Sequence, residues 1–458
     1  MATVSVTTGA ELATAIGNSD EIIHLNAATF TMGATVTVDY DCVIDITYVG
    51  DVVIELGNTF SFIIDDSGGA TTIVIGDSTG TYQITFNEGN ADSMRVQSSA
   101  AAVDATFHYC SFTNANATKG LSILSDPVGD VTVTCNNCTA HDNTTDGFSI
   151  TGTNDNGVLV MLILNDCSAY NHTTGSSSDG ITAHAGNQFL IINGGFYYNN
   201  YNGVSVIGDG GEGPTVYVNG TTFYDCFYGV KVLGTTNVFG VDLNCVNVYA
   251  PKDNGYGVRF SGLGSFTIRN SILTGKTAVI SGIYIDGNSS QGAVNVLNCL
   301  VKDWGGNYGG LGFITLGTLK SAIIDHCTFY NNKRGIRTGT KKVVCTNTIF
   351  ANQTETGWFG ETGADRTYIA SGLNGNNIFY GNVSADFRAG QNDTYAENDL
   401  QLDPKFVNPG SDFTLKPNSP CLNTGSPSPQ GGYTSIGAWQ RISIAKAGIG
   451  SINIQGKT

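Results

Sequence analysis

The chain has 458 residues, of which 60 are Gly, 41% are apolar and only 13% are charged. This composition is too apolar for a disordered chain and too rich in Gly for an ordinary helical enzyme. Since no apolar run approaches the roughly 20 residues that a membrane-spanning helix needs, we predict no membrane span.

The N-terminal stretch lacks a basic region followed by an apolar core, so no secretory signal peptide is visible. Within this stretch, TTGAELATAI predicts a short amphipathic helix with Thr8 near its N-cap.

Charge is distributed unevenly along a chain whose formal net charge is -17. Residues 1–230 hold 24 acidic and two basic side chains, whereas residues 231–458 hold 14 acidic and 19 basic ones. An acidic surface repels polyanions, so we predict no nucleic-acid partner. An anionic polymer would bind the mildly basic second half, which contains the basic turn HCTFYNNKRGIRTG.

The middle of the chain is an internal repeat with units of about 22 to 31 residues. ATFHYCSFTNANATKGLSIL begins at Ala105, and VTVTCNNCTAHDNTTDGFSI begins at Val131. Each unit has an alternating apolar strand, an Asn or Asp, a second short strand, an Asn-rich turn, and then Gly before a third strand. This period with strand-like alternation is typical of a parallel β-solenoid.

The repeat resembles the right-handed parallel β-helix, or pectate-lyase-like, superfamily. The resemblance implies an all-β, right-handed parallel β-helix with an N-terminal helical cap and a modified C-terminal end. We therefore assign residues 1–40 to the cap and 41–350 to the β-helix. Residues 351–440 are assigned to loop-rich terminal coils and a cap, and 441–458 to a tail for docking or oligomerisation.

Eleven Cys are present, and five of them recur at one position of the repeat. They predict a buried column of free thiols: Cys110, Cys138, Cys167, Cys299 and Cys327. Cys135 and Cys138 form a CxxC without a partner motif at zinc spacing, so we predict no metal there.

One repeat position follows the third-strand Gly by two residues and predicts a column on the outer face of the solenoid. It holds Ser149, Thr182, Ser205, Lys231, Arg259, Tyr284, Gly312 and Arg337. Strand alternation predicts that the residue before each of these, such as Val230 and Val258, points into the core. A polysaccharide lyase needs a base for the proton α to a uronate carboxylate and a cation that neutralises this carboxylate. Lys231 and Arg259 have these chemical properties, although the sequence favours a solvated face as the explanation of the column.

A glycosidase instead needs two carboxylates, and Asp146 and Asp179 occupy equivalent positions before the Gly of DGFSI and DGITA. His184 lies nearby in the sequence and could assist them. The alternative is ordinary turn chemistry for both Asp-Gly pairs and a surface role for His184.

Tyrosines on turns of adjacent coils predict carbohydrate binding or a subunit interface, because exposed aromatic patches mark contact sites. We assign a binding role to Tyr198, Tyr201, Tyr228, Tyr284, Arg337 and His184. We predict no cofactor, with calcium as the one metal option, although no acidic cluster accompanies the column.

The nearest functional resemblance is to phage tailspike, fibre or decoration proteins. It implies a virion or extracellular surface protein that binds carbohydrate, with a virion or cell-surface protein partner and a homotrimeric assembly. The alternatives are a polysaccharide lyase that acts on an acidic polysaccharide and a bacterial surface adhesin.

Overall fold

A computed structural model describes residues 3–19, 21–57, 60–66, 69–89, 92–114, 118–125, 129–152, 158–172, 178–184, 188–208, 213–234, 240–249, 251–261, 264–286, 292–314, 321–338, 343–360, 375–388, 398–422, 424–425 and 435–438. The predicted tail at 441–458, Gly339 at the end of the basic turn and the following residues 340–342 lie outside these ranges. No helix within the described ranges is long and apolar enough to cross a membrane.

Three parallel sheets, here called A, B and C, contain fourteen strands each among the described residues. Sheet A contains β1 Thr3–Val6, β2 Ile22–Leu25, β5 Cys42–Ile46, β8 Thr71–Gly76, β11 Val103–His108, β14 Val131–Asn136, β17 Val160–Asn165, β20 Gln188–Asn193, β23 Thr215–Asn219, β26 Gly240–Asn244, β29 Ser265–Arg269, β32 Ala293–Leu297, β35 Ser321–Asp325 and β38 Val343–Thr346.

Sheet B contains β3 Thr29–Thr31, β6 Val52–Glu55, β9 Ile84–Asn87, β12 Cys110–Thr113, β15 Thr139–His141, β18 Ser168–Tyr170, β21 Phe196–Tyr198, β24 Thr222–Tyr224, β27 Asn247–Tyr249, β30 Ile272–Thr274, β33 Leu300–Lys302, β36 Thr328–Tyr330, β39 Ile349–Ala351 and β41 Ile378–Tyr380.

Sheet C contains β4 Val36–Val38, β7 Phe62–Ile64, β10 Asp92–Gln97, β13 Lys119–Ser125, β16 Phe148–Gly152, β19 Asp179–His184, β22 Asn202–Gly208, β25 Tyr228–Gly234, β28 Tyr256–Ser261, β31 Ser281–Asp286, β34 Gly309–Ile314, β37 Arg334–Thr338, β40 Thr356–Gly360 and β42 Ala385–Arg388.

The chain visits sheets A, B and C in turn, so each strand pairs with the strand one coil later. This is the parallel β-helix that the repeat predicted, and it begins at Thr3 and continues to Arg388, beyond the predicted 41–350 range. The right-handed sense of the coil stays a prediction.

One helix, α1 Gly9–Gly17, is present among the described residues. Thr8 is its N-cap as predicted, and Glu11 completes a capping box. Leu12 and Ile16 are buried, and the helix packs against β1, β3 and β4. Its role as a cap for the solenoid stays a prediction.

The core is a continuous apolar column inside the coil. The predicted inward positions are fully buried: Phe148, Ile181, Val204, Val230, Val258, Ile283, Leu311 and Ile336. The predicted cysteine column is also confirmed, because its five members are buried free thiols. Their sulfurs donate to backbone carbonyls of the preceding coil, as Cys138 does to Phe107 at 3.6 Å.

Corners between strands carry Asn or Asp with positive φ, among them Asn137, Asp166 and Asn199. Asn tolerates this left-handed conformation better than most residues. Side-chain amides one residue before the first corner form a ladder, in which Asn165 donates to Asn136 and Asn193 donates to Asn165. The repeated Asn of the sequence therefore shapes the turns and links successive coils.

Leu400 extends sheet B by one parallel bridge to Ile378, and the described residues that follow it fold back on the outer face of this sheet. A short antiparallel hairpin, β43 Phe406–Asn408 and β44 Asp412–Leu415, places Phe406 and Phe413 against Tyr330. Lys302 donates from Nζ to the carbonyl oxygen of Gly410 at 3.1 Å. This back-folded segment forms a second apolar cluster outside the main core.

Candidate functional site

Sheet C positions the predicted column in register on successive strands. Ser205 pairs with Lys231, Lys231 with Arg259, and Arg259 with Tyr284. Arg337 follows two strands after Tyr284, with Gly312 between them. The structure thus brings Lys231 and Arg259 together as the repeat spacing predicted.

The outer face around this column is more enclosed than a solvated face. Ser149 and Ser205 are 0% and 1% exposed, and Tyr284 is 8% exposed. Lys231 and Arg259 are half-buried. The interpretation as a solvated face is therefore wrong for the small hydroxyl residues, which are buried, whereas the cations of the column are partly exposed.

The two predicted carboxyls lie at the edge of this column and are buried. Asp146 and Asp179 are 7% and 5% exposed. Burial, together with the negative charge of Asp179, raises the pKa of Asp146 to about 7. Burial also raises the pKa of Asp179 to about 6, against the opposing effect of its hydrogen bonds and of Lys231. At neutral pH this pair therefore retains part of its protons.

Two polar side chains hold Asp179 in place. Asn202 donates from Nδ2 to Oδ1 at 2.5 Å, and Thr182 donates to Oδ2 at 3.2 Å. Asn202 is fully buried, so its amide fixes the carboxylate from below the outer surface.

Two neighbouring charged groups, the carboxyl of Asp179 and the guanidinium of Arg259, influence Lys231. Burial lowers the pKa of its ammonium group, Asp179 acts to raise this pKa, and Arg259 acts to lower it. Its Nζ lies 5.5 Å from the centroid of the Tyr228 ring. A lysine with a lowered pKa and a neighbouring cation is suited to accept a proton.

Arg259 is held among tyrosines. Its Nη1 donates to the hydroxyl of Tyr228 at 3.2 Å, and its guanidinium lies 5.8 Å from the Tyr284 ring centroid. Tyr201 contacts Tyr228 at a centroid distance of 6.1 Å. These contacts position the guanidinium beside Lys231, where it could pair with a carboxylate.

A row of aromatic rings continues from this point along sheet C. The centroid distances are 5.2 Å from Tyr228 to Tyr256, 5.1 Å from Tyr256 to Tyr284, and 5.0 Å from Tyr284 to Tyr308. Arg337 ends the row, with its guanidinium 4.5 Å from the Tyr308 centroid. Arg337 therefore belongs to the same surface as Lys231 and Arg259.

Tyr198 lies elsewhere, although the sequence grouped it with Tyr201 and Tyr228. It is on β21 of sheet B, where its ring stacks on Tyr170 at 4.7 Å with an interplanar angle of 8°. Tyr170 stacks in the same way on His141. Since Tyr198 lies on sheet B, it does not share the sheet C surface. The rings of this stack cover one another's faces.

Two tyrosines next to the assigned binding residues are not exposed. Tyr197, the neighbour of Tyr198, is fully buried in the core, and Tyr228 is only 6% exposed. Alternation along a strand decides this, since Tyr197 points inward while its neighbours point outward.

His184 ends the strand that Asp179 begins. Five residues of extended chain span about 16 Å, so His184 lies well away from the Asp179 carboxyl along the strand. It pairs with Thr151 and Ile207 rather than with the column. A role for His184 beside the carboxyls stays a prediction that this placement does not favour.

Sequence reasoning missed Asn202, Tyr308 and Phe359. Asn202 is one strand after Asp179 and in register with it, so alignment of successive coils could have found it. Phe359 is likewise in register with Arg337. Tyr308 lies just before β34, at the repeat position that Tyr201 and Phe227 hold before β22 and β25, so alignment of the coils could have found it as well.

Among the described residues, no group of three or more His, Cys, Asp or Glu could hold a metal ion.

Comparisons with known proteins add a limited likeness. No protein-family model and no curated protein matches the chain. One similar solved structure is the crystal structure of pectate lyase Pel9A, with 14% identity over 94% of this chain and 90% of that chain, and a TM-score of 0.34. Another is the A-module of Azotobacter vinelandii mannuronan C-5 epimerase AlgE4, with 10% identity over 88% of this chain and 98% of that chain, and a TM-score of 0.38.

The chain is a parallel β-helix protein. Its own sheets establish this architecture, and neither likeness assigns it an activity.

Proposed function

We propose that this protein binds an acidic polysaccharide along sheet C and cleaves it by β-elimination at Lys231 and Arg259. The observation that carries the proposal is the in-register pairing of these two cations, with a lowered pKa at Lys231. Arg259 would pair with the uronate carboxylate and stabilise the charge that develops when the neighbouring carbon loses its proton.

In this reaction the neutral amine of Lys231 takes the proton from the carbon α to the carboxylate. The electron pair of that C–H bond forms a carbon–carbon double bond, and the glycosidic C–O bond breaks. The leaving oxygen then takes a proton from solvent.

Burial favours elimination over glycoside hydrolysis by the same carboxyls. Asp146 and Asp179 are nearly inaccessible, whereas Lys231 and Arg259 are partly exposed. Hydrolysis by the carboxyl pair remains the second candidate, because two acids with separate raised pKa values resemble an acid and base arrangement.

The test is a cleavage assay on a panel of acidic and neutral polysaccharides, which follows both unsaturated-product absorbance and new reducing ends. Lys231→Ala should lower elimination by about 10²–10⁴-fold, as expected for loss of a general base. Arg269→Ala is the matched control, because Arg269 lies on sheet A and pairs with Asp242.

Two results would redirect the proposal. Reducing ends without unsaturated product, abolished in Asp179→Asn, would indicate hydrolysis. Elimination that persists in Lys231→Ala at the parent rate would rule out Lys231 as the base.

The virion or surface role that the sequence suggests uses the same surface without chemistry. A tailspike, fibre or decoration protein, or an adhesin, would bind glycan along sheet C as a trimer or on a cell surface. Glycan binding without cleavage of any polysaccharide in the panel, together with a trimer mass by light scattering, would support this role.

A further inference from the structure

The outer face of sheet A has a central row of side chains that carries almost no charge. This row runs in register through all fourteen strands of the sheet and consists of Thr3, Ile22, Val43, Val74, Thr106, Thr134, Ile163, Ile191, Tyr217, Asp242, Thr267, Asn295, Ile323 and Val344. Asp242 is the one charged member of the row, and Arg269 pairs with it at 2.8 Å. Two copies of a chain with a formal net charge of -17 can therefore meet on this row with little direct repulsion between side chains.

The middle of this face is an apolar patch. Ile163, Ile191 and Tyr217 follow one another along the central row, and Met161 and Phe189 pair with each other beside them. Tyr217 is 46% exposed, and the other four side chains are partly exposed. Adjacent apolar side chains of this kind on an outer face mark a contact site, whereas single exposed ones do not.

The patch is centred on β20, which is the eighth of the fourteen strands of sheet A. Charge differs on the two sides of this strand. Residues 1–190 hold 21 acidic and two basic side chains, a formal charge of -19, whereas residues 191–458 hold 17 acidic and 19 basic ones, a formal charge of +2. A second copy in antiparallel orientation places each acidic half against a nearly neutral half, whereas a parallel copy places the two acidic halves together.

The size of the face is sufficient for a stable dimer. Fourteen strands about 4.8 Å apart and about 17 Å long cover on the order of 1,000 Å². A standard interface buries roughly 800 Å² per partner. Because seven strands of the sheet precede β20 and six follow it, two antiparallel copies centred there overlap over nearly the whole rod.

We propose that sheet A is the interface of an antiparallel dimer of this chain, with a two-fold axis that runs along β20. Ile191 then packs against Ile191 of the second copy, and Ile163 packs against Tyr217 of the second copy. The two sheets face each other at about 10 Å, as in other face-to-face sheet packing. Sheet C takes no part in this contact, so the dimer does not depend on the reaction proposed there.

The first experiment measures the mass of the protein by light scattering and sedimentation from about 1 to 100 μM. We expect the mass of two chains. Tyr217→Asp should weaken the dimer at least about tenfold, because it buries an unpaired charge against Ile163 of the second copy. Tyr224→Asp is the matched control, since Tyr224 is also 46% exposed and lies on the same coil but on sheet B.

A second variant tests the same contact without added charge. Ile191→Asn should also weaken the dimer, and Asn295 shows that the central row accommodates an asparagine. Circular dichroism and the unfolding midpoint of each variant check that the coil is intact. A monomer or a trimer in the parent protein, or equal weakening by Tyr217→Asp and Tyr224→Asp, would overturn the proposal.

Cross-linking determines the orientation of the two copies. Thr106 and Thr267 lie three strands before and three strands after Ile191 in the central row. A mixture of Thr106→Cys and tagged Thr267→Cys should therefore yield a mixed dimer with a bismaleimide that spans about 10 Å, and neither variant alone should be linked. The parent protein is the control for its native cysteines, of which Cys245 is half-buried and the other ten are buried. Links within one variant alone would indicate parallel copies and overturn the antiparallel dimer.

Discussion

Lys231 and Arg259 lie side by side in register on neighbouring parallel strands, with the buried carboxyl of Asp179 on the other side of Lys231. Two cations at strand spacing repel each other, and the nearby acid compensates only in part. The charge state of Lys231 is therefore set by both neighbours.

Removal of Asp179 and removal of Arg259 should move the pKa of Lys231 in opposite directions. Asp179→Asn removes a negative charge and should lower this pKa further, whereas Arg259→Ala removes a positive charge and should raise it. The measurement is NMR titration of the dimethylated lysine after reductive methylation, with Lys231→Arg used to assign the signal. Shifts of equal sign in both variants would contradict the arrangement.

Asp146→Asn should stabilise the protein at alkaline pH and have little effect at acidic pH. The pKa of Asp146 is raised to about 7, so the folded chain retains a proton that the unfolded chain releases above about pH 4. Stability should consequently fall as pH rises from about 4 to 7, by on the order of 3 to 4 kcal/mol from this group.

The measurement for Asp146 is urea unfolding at about pH 4.5 and about pH 8, which are roughly the two limits of the titration. Asp253→Asn is the control, because Asp253 is an exposed partner of Lys276. Equal stabilities of Asp146→Asn and the parent at both pH values would show that the carboxyl is not protonated in the fold.

Asp66→Asn should destabilise the N-terminal coils. This buried carboxylate accepts hydrogen bonds from the backbone N–H groups of Ser99, Ala100 and Ala101, and one from the Ser98 hydroxyl. Burial acts to raise the pKa of Asp66, but these bonds lower it overall. Loss of an ionised acceptor with buried donors should cost about 3 kcal/mol.

The contribution of Asp66 also has a defined pH dependence. Since its pKa is lowered in the folded state, its stabilisation is present above the ordinary carboxyl range and is lost as pH falls through the lowered value. Thermal unfolding of the parent, Asp66→Asn and the exposed-site control Asp104→Asn should therefore differ at pH values near neutrality and converge in acid. A difference that persists in acid would refute an electrostatic origin.

Gly312→Ala should disturb the Tyr308 ring and, through it, Arg337. A Cβ at Gly312 would lie 2.7 Å from Cβ of Tyr308, so the ring must move away from the strand. We expect destabilisation of about 1–3 kcal/mol, measured by urea unfolding. Gly240→Ala is the matched control, because its Cβ would meet only the Ser265 hydroxyl at 3.6 Å. A free energy of unfolding that is equally unchanged in both variants would show that the Tyr308 side chain is not fixed against the strand.

The sequence was sufficient to predict the coil and its register. Alternation assigned Val230 and Val258 to the core, and the repeat length placed Lys231 beside Arg259. Such predictions succeed because strand periodicity and coil stacking act on every unit in the same way.

The remaining features depend on irregular residues. The burial of Ser205 is not visible in a single repeat, because strand alternation points this position away from the core. The folding back of Phe406 and Phe413 onto Tyr330 joins parts of the chain that are far apart. Long-range packing of this kind leaves no local periodicity in the sequence.

The back-folded segment changes how the solenoid should come apart. In a simple stack of coils, each unit contacts only its neighbours and can open from either end. Here the bond from Lys302 to Gly410, and that from Ala438 N to Thr328, tie several C-terminal coils to one strap along their side. Those coils must separate together, so cooperative loss of structure should be largest there and gradual fraying should begin at the opposite end of the rod.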